Sequence, residues 1–216
     1  MDIANYIDHT NLDPAAKTDE ILRLCDEASE WQFASVCVNP CYVALASERL
    51  KGKGVKVCSV VGFPLGSNTM SSKSYEAEMA YKDGASEIDM VMNISHVKNG
   101  SYDLLREDIA GVVRSVPDCK VKVIMETCLL EDDEIIRACS EAVKAGAHFL
   151  KTSTGFSSGG ATVRHVELIR RSLPPEIGVK ASGGIRDRET AEAMIAAGAN
   201  RLGTSRSVFI CKIMSE

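Results

Sequence analysis

Residues 141–156 read EAVKAGAHFLKTSTGF. A helix-period stretch stops at Gly146, a β-type run starts at once, and a glycine-bearing loop follows it. The same handover, written AxxAGA or DGAxE, recurs at 82–87 (KDGASE) and 193–200 (AMIAAGAN). Working outward, eight candidate strands can be read: YIDHTNL (6–12), SVCVN (35–39), VKVCSVVGF (55–63), EIDMVMN (87–93), VKVIMET (121–127), HFLKTST (148–154), GVKASG (178–183) and NRLGTS (200–205). They are rich in Val, Ile and Thr, and turn residues mark many of their ends. Helix-period stretches lie between them at 18–31, 72–82, 102–114, 132–144, 162–172 and 187–197. Thr18 is placed to cap the first of these and Asp187 the last, which Gly198 closes. Strand followed by helix, repeated, predicts a parallel α/β fold. A doubly wound open sheet competes with a closed (β/α)8 barrel. The strand count of eight and the lack of a GxGxxG at the first helix favour the barrel, as a single domain over 1–216 with short loops.

Composition narrows the function. The chain has 216 residues, 45% hydrophobic and 25% charged, as in a soluble globular domain with one sizeable core. A net charge of −5 argues against nucleic acid as a partner, because phosphate backbones select basic surfaces. No apolar run is long enough to span a bilayer, and MDIANYIDHT does not read as a secretory leader, so a cytoplasmic protein is expected. The eight cysteines sit mostly in apolar runs and form no CxxC, which points to reduced thiols and away from a zinc site.

Three charges sit inside candidate strands. In EIDMVMN, Ile88, Met90 and Met92 share one face and Asp89 lies on the other; if the apolar face meets the helices, Asp89 points into the barrel. Lys151 in HFLKTST and Lys180 in GVKASG belong to consecutive strands. Neighbouring strands are about 4.8 Å apart, so the two ammonium groups come within about 6 Å of each other. At an effective dielectric near 20 their repulsion is roughly 2.5–3 kcal/mol, enough to move a pKa by about two. A lysine that sheds its proton attacks a carbonyl to form an imine; the other stays charged as lever and relay, and Asp89 moves protons. Taken singly, each lysine reads as readily as an edge or snorkelling residue, and the trio as an ion cluster. The residues alone do not say which lysine is the nucleophile.

Phosphate-type loops stand beside the trio. SGGIR (182–186) follows the seventh strand and GTSR (203–206) the eighth, where barrels of this kind place phosphate. Gly183 and Gly184 allow close backbone approach, Thr204 and Ser205 offer hydroxyls, and Thr154 and Gly155 of TGFSSGG add donors. His9 reads as a site-lining or a hydrogen-bonded structural residue. His96, His148 and His165 lack metal spacing, the serines form no GxSxG elbow, and Tyr75, Glu76 and Glu78 read as solvated or packed helix residues.

IDHTNL, VCVNP, VGFPLG, EIDMVMN, KTSTGF, VKASGGIR and LGTSR, in this order over Tyr6 to Arg206, resemble the deoxyribose-phosphate aldolase family. The resemblance implies a class I reaction: reversible cleavage of 2-deoxy-D-ribose 5-phosphate to D-glyceraldehyde 3-phosphate and acetaldehyde. It implies Lys151 as the Schiff-base lysine, Lys180 as the lysine that perturbs it, and Asp89 in proton transfer. It places Gly155, Gly183, Gly184, Gly203 and Ser205 at phosphate, Asp8 and Thr10 near the substrate hydroxyls, and Cys37 in the pocket. No metal or organic cofactor is implied, since the iminium is the electron sink. Phe156 stands where some members carry a basic residue, Arg206 where a small one is common, and the sequence ends at Glu216 without the tyrosine-bearing tail of some members. Competing readings are a phosphosugar isomerase or epimerase on the same barrel and a catalytically inert binding barrel. A homodimer or homotetramer is left open.

Overall fold

The computed structural model describes residues 3–212; the expected tail difference at Glu216 lies outside them. Eight parallel strands, β1 (Ile7–Asn11), β2 (Ser35–Val38), β3 (Lys56–Val61), β4 (Glu87–Val91), β5 (Lys120–Ile124), β6 (Phe149–Lys151), β7 (Gly178–Ser182) and β8 (Arg201–Thr204), close on themselves in sequence order, with β8 pairing β1. The helices around them are α1 (Thr18–Glu30), α2 (Val43–Leu50), α3 (Met70–Lys82), α4 (Ile94–Lys98), α5 (Tyr102–Ser115), α6 (Asp132–Lys144), α7 (Val163–Arg171), α8 (Arg188–Ala196) and α9 (Ser207–Cys211). This is the (β/α)8 barrel.

All eight expected strands are present, several of them shorter than read. β6 stops at Lys151 rather than Thr154, and the next residues bond through side chains to the end of β7: Thr152 Oγ1 donates to Ser182 O at 3.1 Å and Ser182 Oγ to Ser153 O at 2.6 Å. Asp187 caps α8 as expected, accepting from Thr190 N at 2.8 Å. Thr18 does not cap α1. It is the first helical residue, and Glu20 instead folds back to accept from Lys17 N at 2.7 Å. α2, α4 and α9 are additional to the six helices read.

Alternation along the strands sorts two environments. Outward side chains such as Ile88 and Met90 of β4, Val121 and Val123 of β5, Leu150 of β6 and Val179 of β7 join the main core against the helices. Inward ones divide by side. Cys37, Cys58 and Val60, with Leu12, form a small apolar cluster at the β2–β3 side of the interior. The β4–β8 side carries charge: Glu87, Asp89, Lys122, Lys151 and Lys180 are all buried. Among the described residues, no helix is long and apolar enough to cross a membrane.

Candidate active site

Lys151 and Lys180 are register partners on β6 and β7, and Asp89 and Lys122 are partners on β4 and β5. The side chains of Lys122, Lys151 and Lys180 all converge on one carboxylate. Asp89 Oδ2 accepts from Lys151 Nζ and Lys180 Nζ, each at 2.7 Å, while Oδ1 accepts from Lys122 Nζ at 2.8 Å and from Cys58 Sγ at 3.1 Å. The two expected amines are therefore no further apart than two hydrogen bonds. They are not left to repel each other bare, however: a carboxylate oxygen stands between them.

The network continues below. Lys180 also pairs with Asp8 Oδ2, Lys122 with Glu87 Oε2 at 2.6 Å, and Arg201 bridges Asp8 Oδ1 at 2.6 Å and Glu87 at 3.3 Å. Ser35 Oγ donates to Asp8 at 2.7 Å. Four cations thus face three carboxylates. Burial alone would lift the Asp89 carboxyl, but Lys122, Lys151 and Lys180 outweigh it and hold that group well below the usual carboxylate range. Asp8 is held down in the same way, against burial, by Lys180, Lys122 and Arg201. Burial works against a charged Lys180, yet Asp8 and Asp89 raise its pKa above that of an ordinary lysine, so it remains an ammonium. Lys122 is raised likewise, against burial, by Asp89 and its other anionic neighbours.

A cavity of about 880 Å³ opens at the carboxyl ends of the strands. Lys151, Thr10, Thr154, Gly155, Gly183, Gly184, Gly203, Thr204 and Ser205 line it, as do His9, Phe156 and Arg186. Of the three clustered lysines, only Lys151 reaches the cavity wall. It is also the only one with a single carboxylate partner. Asp8, Asp89, Lys180 and Cys37 lie one layer beneath, with no solvent exposure. Asp8 pairs with Lys180 and Arg201, its inward side chain on β1 level with the ion network. Cys37 Sγ comes to 4.0 Å from Asp89 Oδ2.

The rim follows the expected loops. Gly183 has φ +85°, and a Cβ there would stand 3.1 Å from Gly160 Cα, so the turn beside Lys180 needs a glycine. A Cβ on Gly203 would meet Lys180 Cε at 3.1 Å, so a side chain there would crowd the buried amine. His9 is both lining and structural: its ring bonds Glu27 Oε2 and Ser207 Oγ, each at 2.8 Å.

Several site residues escaped the sequence reading: Lys122, Glu87, Arg201 and Glu126. Glu126 is buried with left-handed backbone (φ 43°) and accepts from the Thr154 hydroxyl. Cys37, Cys58 and Asp89 bring potential metal-ligand atoms within 4.8 Å of one another. The place of a cation there is already taken by Lys122, whose Nζ is 3.3 Å from Cys58 Sγ. Burial and the Asp89 charge also push the Cys58 thiol upward, away from the thiolate that a metal requires.

Fold and site together define a (β/α)8 barrel whose cavity wall carries a lysine amine set over a buried cluster of charges. Residues 3–209 match the DeoC/LacD family aldolases, and the chain belongs to that family. It is 57% identical to the deoxyribose-phosphate aldolase of Caldanaerobacter subterraneus subsp. tengcongensis, over 100% of this chain and 94% of that protein. Among solved structures it superposes on QR15, an aldolase, with a TM-score of 0.94 and 46% identity, covering 98% of this chain and 95% of that one. It matches the tetrameric deoxyribose phosphate aldolase of Aeropyrum pernix with a TM-score of 0.91 and 34% identity, over 97% and 89% of the two chains.

Proposed function

We propose that this aldolase cleaves 2-deoxy-D-ribose 5-phosphate reversibly into D-glyceraldehyde 3-phosphate and acetaldehyde, with Lys151 as the imine-forming residue. One observation carries the assignment: of three lysines gathered on Asp89, Lys151 alone opens onto the cavity. With four cations against three carboxylates, the cluster becomes neutral when one amine gives up its proton.

The neutral Lys151 amine adds to C1 of the open-chain sugar, and loss of water leaves an iminium. Removal of the 3-hydroxyl proton breaks the C2–C3 bond; C3 leaves as the aldehyde of glyceraldehyde 3-phosphate and the electron pair moves into an enamine. A proton then returns to C2, and water hydrolyses the acetaldehyde iminium. Asp89 Oδ2 accepts from both amines and so is the atom through which a proton passes between Lys180 and the reacting carbon. The phosphate is taken by the rim at Gly155, Gly183, Gly184, Gly203, Thr204 and Ser205, with Thr10 near the sugar hydroxyls and Arg186 supplying a cation.

A cytoplasmic, homo-oligomeric enzyme, a dimer or a tetramer, completes the proposal. Eight free cysteines suit a reducing compartment, and light scattering of the purified protein reads the assembly. The central test is borohydride reduction with acetaldehyde followed by peptide mass spectrometry. A reduced two-carbon adduct on Lys151 is expected. An isomerase would give none, and an adduct on Lys122 or Lys180 would move the nucleophile.

A further inference from the structure

Two aromatic rings meet across the barrel mouth. Phe63 follows β3 and Phe156 follows β6, three strands apart in a closed ring of eight. Yet their ring centroids are 5.2 Å apart, in an edge-to-face contact of 85°. Contact at that separation requires the two loops to reach toward each other over the strand ends.

Each ring stands on an anchored backbone. Gly62 N, next to Phe63, donates to Glu76 Oε2 on α3 at 2.8 Å. Phe156 N donates to Thr154 Oγ1 at 3.0 Å, and that hydroxyl donates in turn to the buried Glu126. Beneath, Phe63 packs on the apolar cluster of Leu12, Cys37, Cys58 and Val60, and both of those sulfurs lie against the Asp89 carboxylate. The open cavity begins at Phe156 and Leu12, which both stand on its wall with Lys151. Its walls come from β1 and α1 and from the ends and loops of β6, β7 and β8; among the described residues, the ends of β2 to β5 contribute none.

We propose that Phe156, braced by Phe63, roofs the β2–β5 half of the mouth and keeps water from the enamine carbon held on Lys151. The mouth is thereby divided. One half is wet, lined by hydroxyls and glycines, and takes the polar phosphorylated fragment. The other is dry and apolar, and receives the short hydrocarbon end that stays on the amine. In the synthetic direction the enamine has two fates: attack on the acceptor aldehyde, or capture of a solvent proton at its carbon, which forms a C–H bond, regenerates the iminium and makes no carbon–carbon bond. The roof favours the first by thinning the water beside that carbon. Phe156 acts by touching the bound fragment; Glu126, Thr154 and Glu76 are positioning residues for the two rings.

The inference rests on Lys151 being the imine-forming residue, so the experiment reads both. Acetaldehyde and glyceraldehyde 3-phosphate are incubated with enzyme in D2O, and NMR follows two rates: deuterium entry into the acetaldehyde methyl group and deoxyribose 5-phosphate formation. Borohydride trapping with acetaldehyde is run in parallel. In Phe156→Ala, trapping on Lys151 should persist while the ratio of exchange to synthesis rises several-fold. Phe156→Leu should restore most of the native ratio, and Phe63→Leu should shift it in the same direction as Phe156→Ala. An unchanged ratio, or exchange and synthesis falling together, overturns the roof and leaves the ring as loop packing. Should Phe156→Ala not fold, Phe63→Leu decides the matter by the same ratio. If wild-type enzyme traps nothing on Lys151, the roof falls with the nucleophile; if it traps and the ratio does not move, the roof fails alone.

Discussion

Among the described residues lysine is buried in two places, and the two differ in kind. Between α3 and α5, Lys73 is fully buried and meets the carboxylate of Asp108 at 2.7 Å. Burial lowers its pKa despite that partner, and it lies off the wall of the site cavity: its side chain packs under the Gly62 turn. Inside the barrel, Lys122 and Lys180 each have more than one carboxylate and are raised instead. Lys151 shares one carboxylate oxygen with Lys180 and lines an open cavity. A buried lysine by itself signals nothing more than a satisfied ion pair. Chemistry needs the amine to be at a cavity wall, within a cluster whose charges do not cancel.

Substitutions can break this contrast. Lys151→Ala should have the largest effect, abolishing the trapped adduct and lowering kcat/KM by roughly 10⁴-fold or more, while circular dichroism stays native. Near-native turnover would erase the distinction between the two regions. Lys180→Leu should slow turnover by about 10²–10³-fold. Turnover left near native would mean that Lys180 only fills space. On the other side of the comparison, Lys73→Met strands the Asp108 carboxylate and should cost roughly 3–5 kcal/mol in a urea titration. Replacing both partners, Lys73→Met with Asp108→Leu, should recover that stability and leave kcat/KM unchanged, as no pair in the barrel cluster would.

The smallest expected effect sharpens the contrast by pH. Asp8 and Asp89 titrate below ordinary carboxylates in the folded chain. A carboxyl whose folded pKa is depressed adds stability that is full above its unfolded value and is lost as pH falls through the folded one. The melting temperature should therefore hold down to about pH 4–5 and fall below it. Asp89→Asn should flatten the acid limb; an equally steep fall would place the acid-sensitive group elsewhere.

The barrel was legible because its signal is repeated. Apolar alternation, Gly84, Gly146 and Gly198 at helix ends, and Asp187 as a cap are local, and local patterns survive in a single sequence. Asp89, Lys151 and Lys180 were legible because a charge flanked by core residues on a strand has few places to go. Lys122 was not. It follows Lys120 at the two-residue spacing of one strand face, and two lysines so placed read as a wetted edge. In the fold Lys120 is exposed at the barrel's lower lip while Lys122, one step further in, is buried. Arg201 was hidden for another reason. Its partners Asp8 and Glu87 are 193 and 114 residues away in the chain, and only ring closure brings them together. α2 lacks a side-chain cap and spans eight residues, too short for its period to stand out. Asp8 was identified as important, but its depth in the barrel depends on register and strand tilt, which a sequence does not display.

The pairing of Arg201 with Asp8 has a bearing on how the protein is made. A polypeptide emerging from the ribosome delivers Asp8 and Glu87 early and their guanidinium almost last. Until β8 is released, any compact intermediate that encloses those acids lacks one of its counter-charges, which is costly in a dry interior. Premature collapse is thus disfavoured, and a chain cut short before residue 201 leaves Asp8 and Glu87 without their shared guanidinium partner.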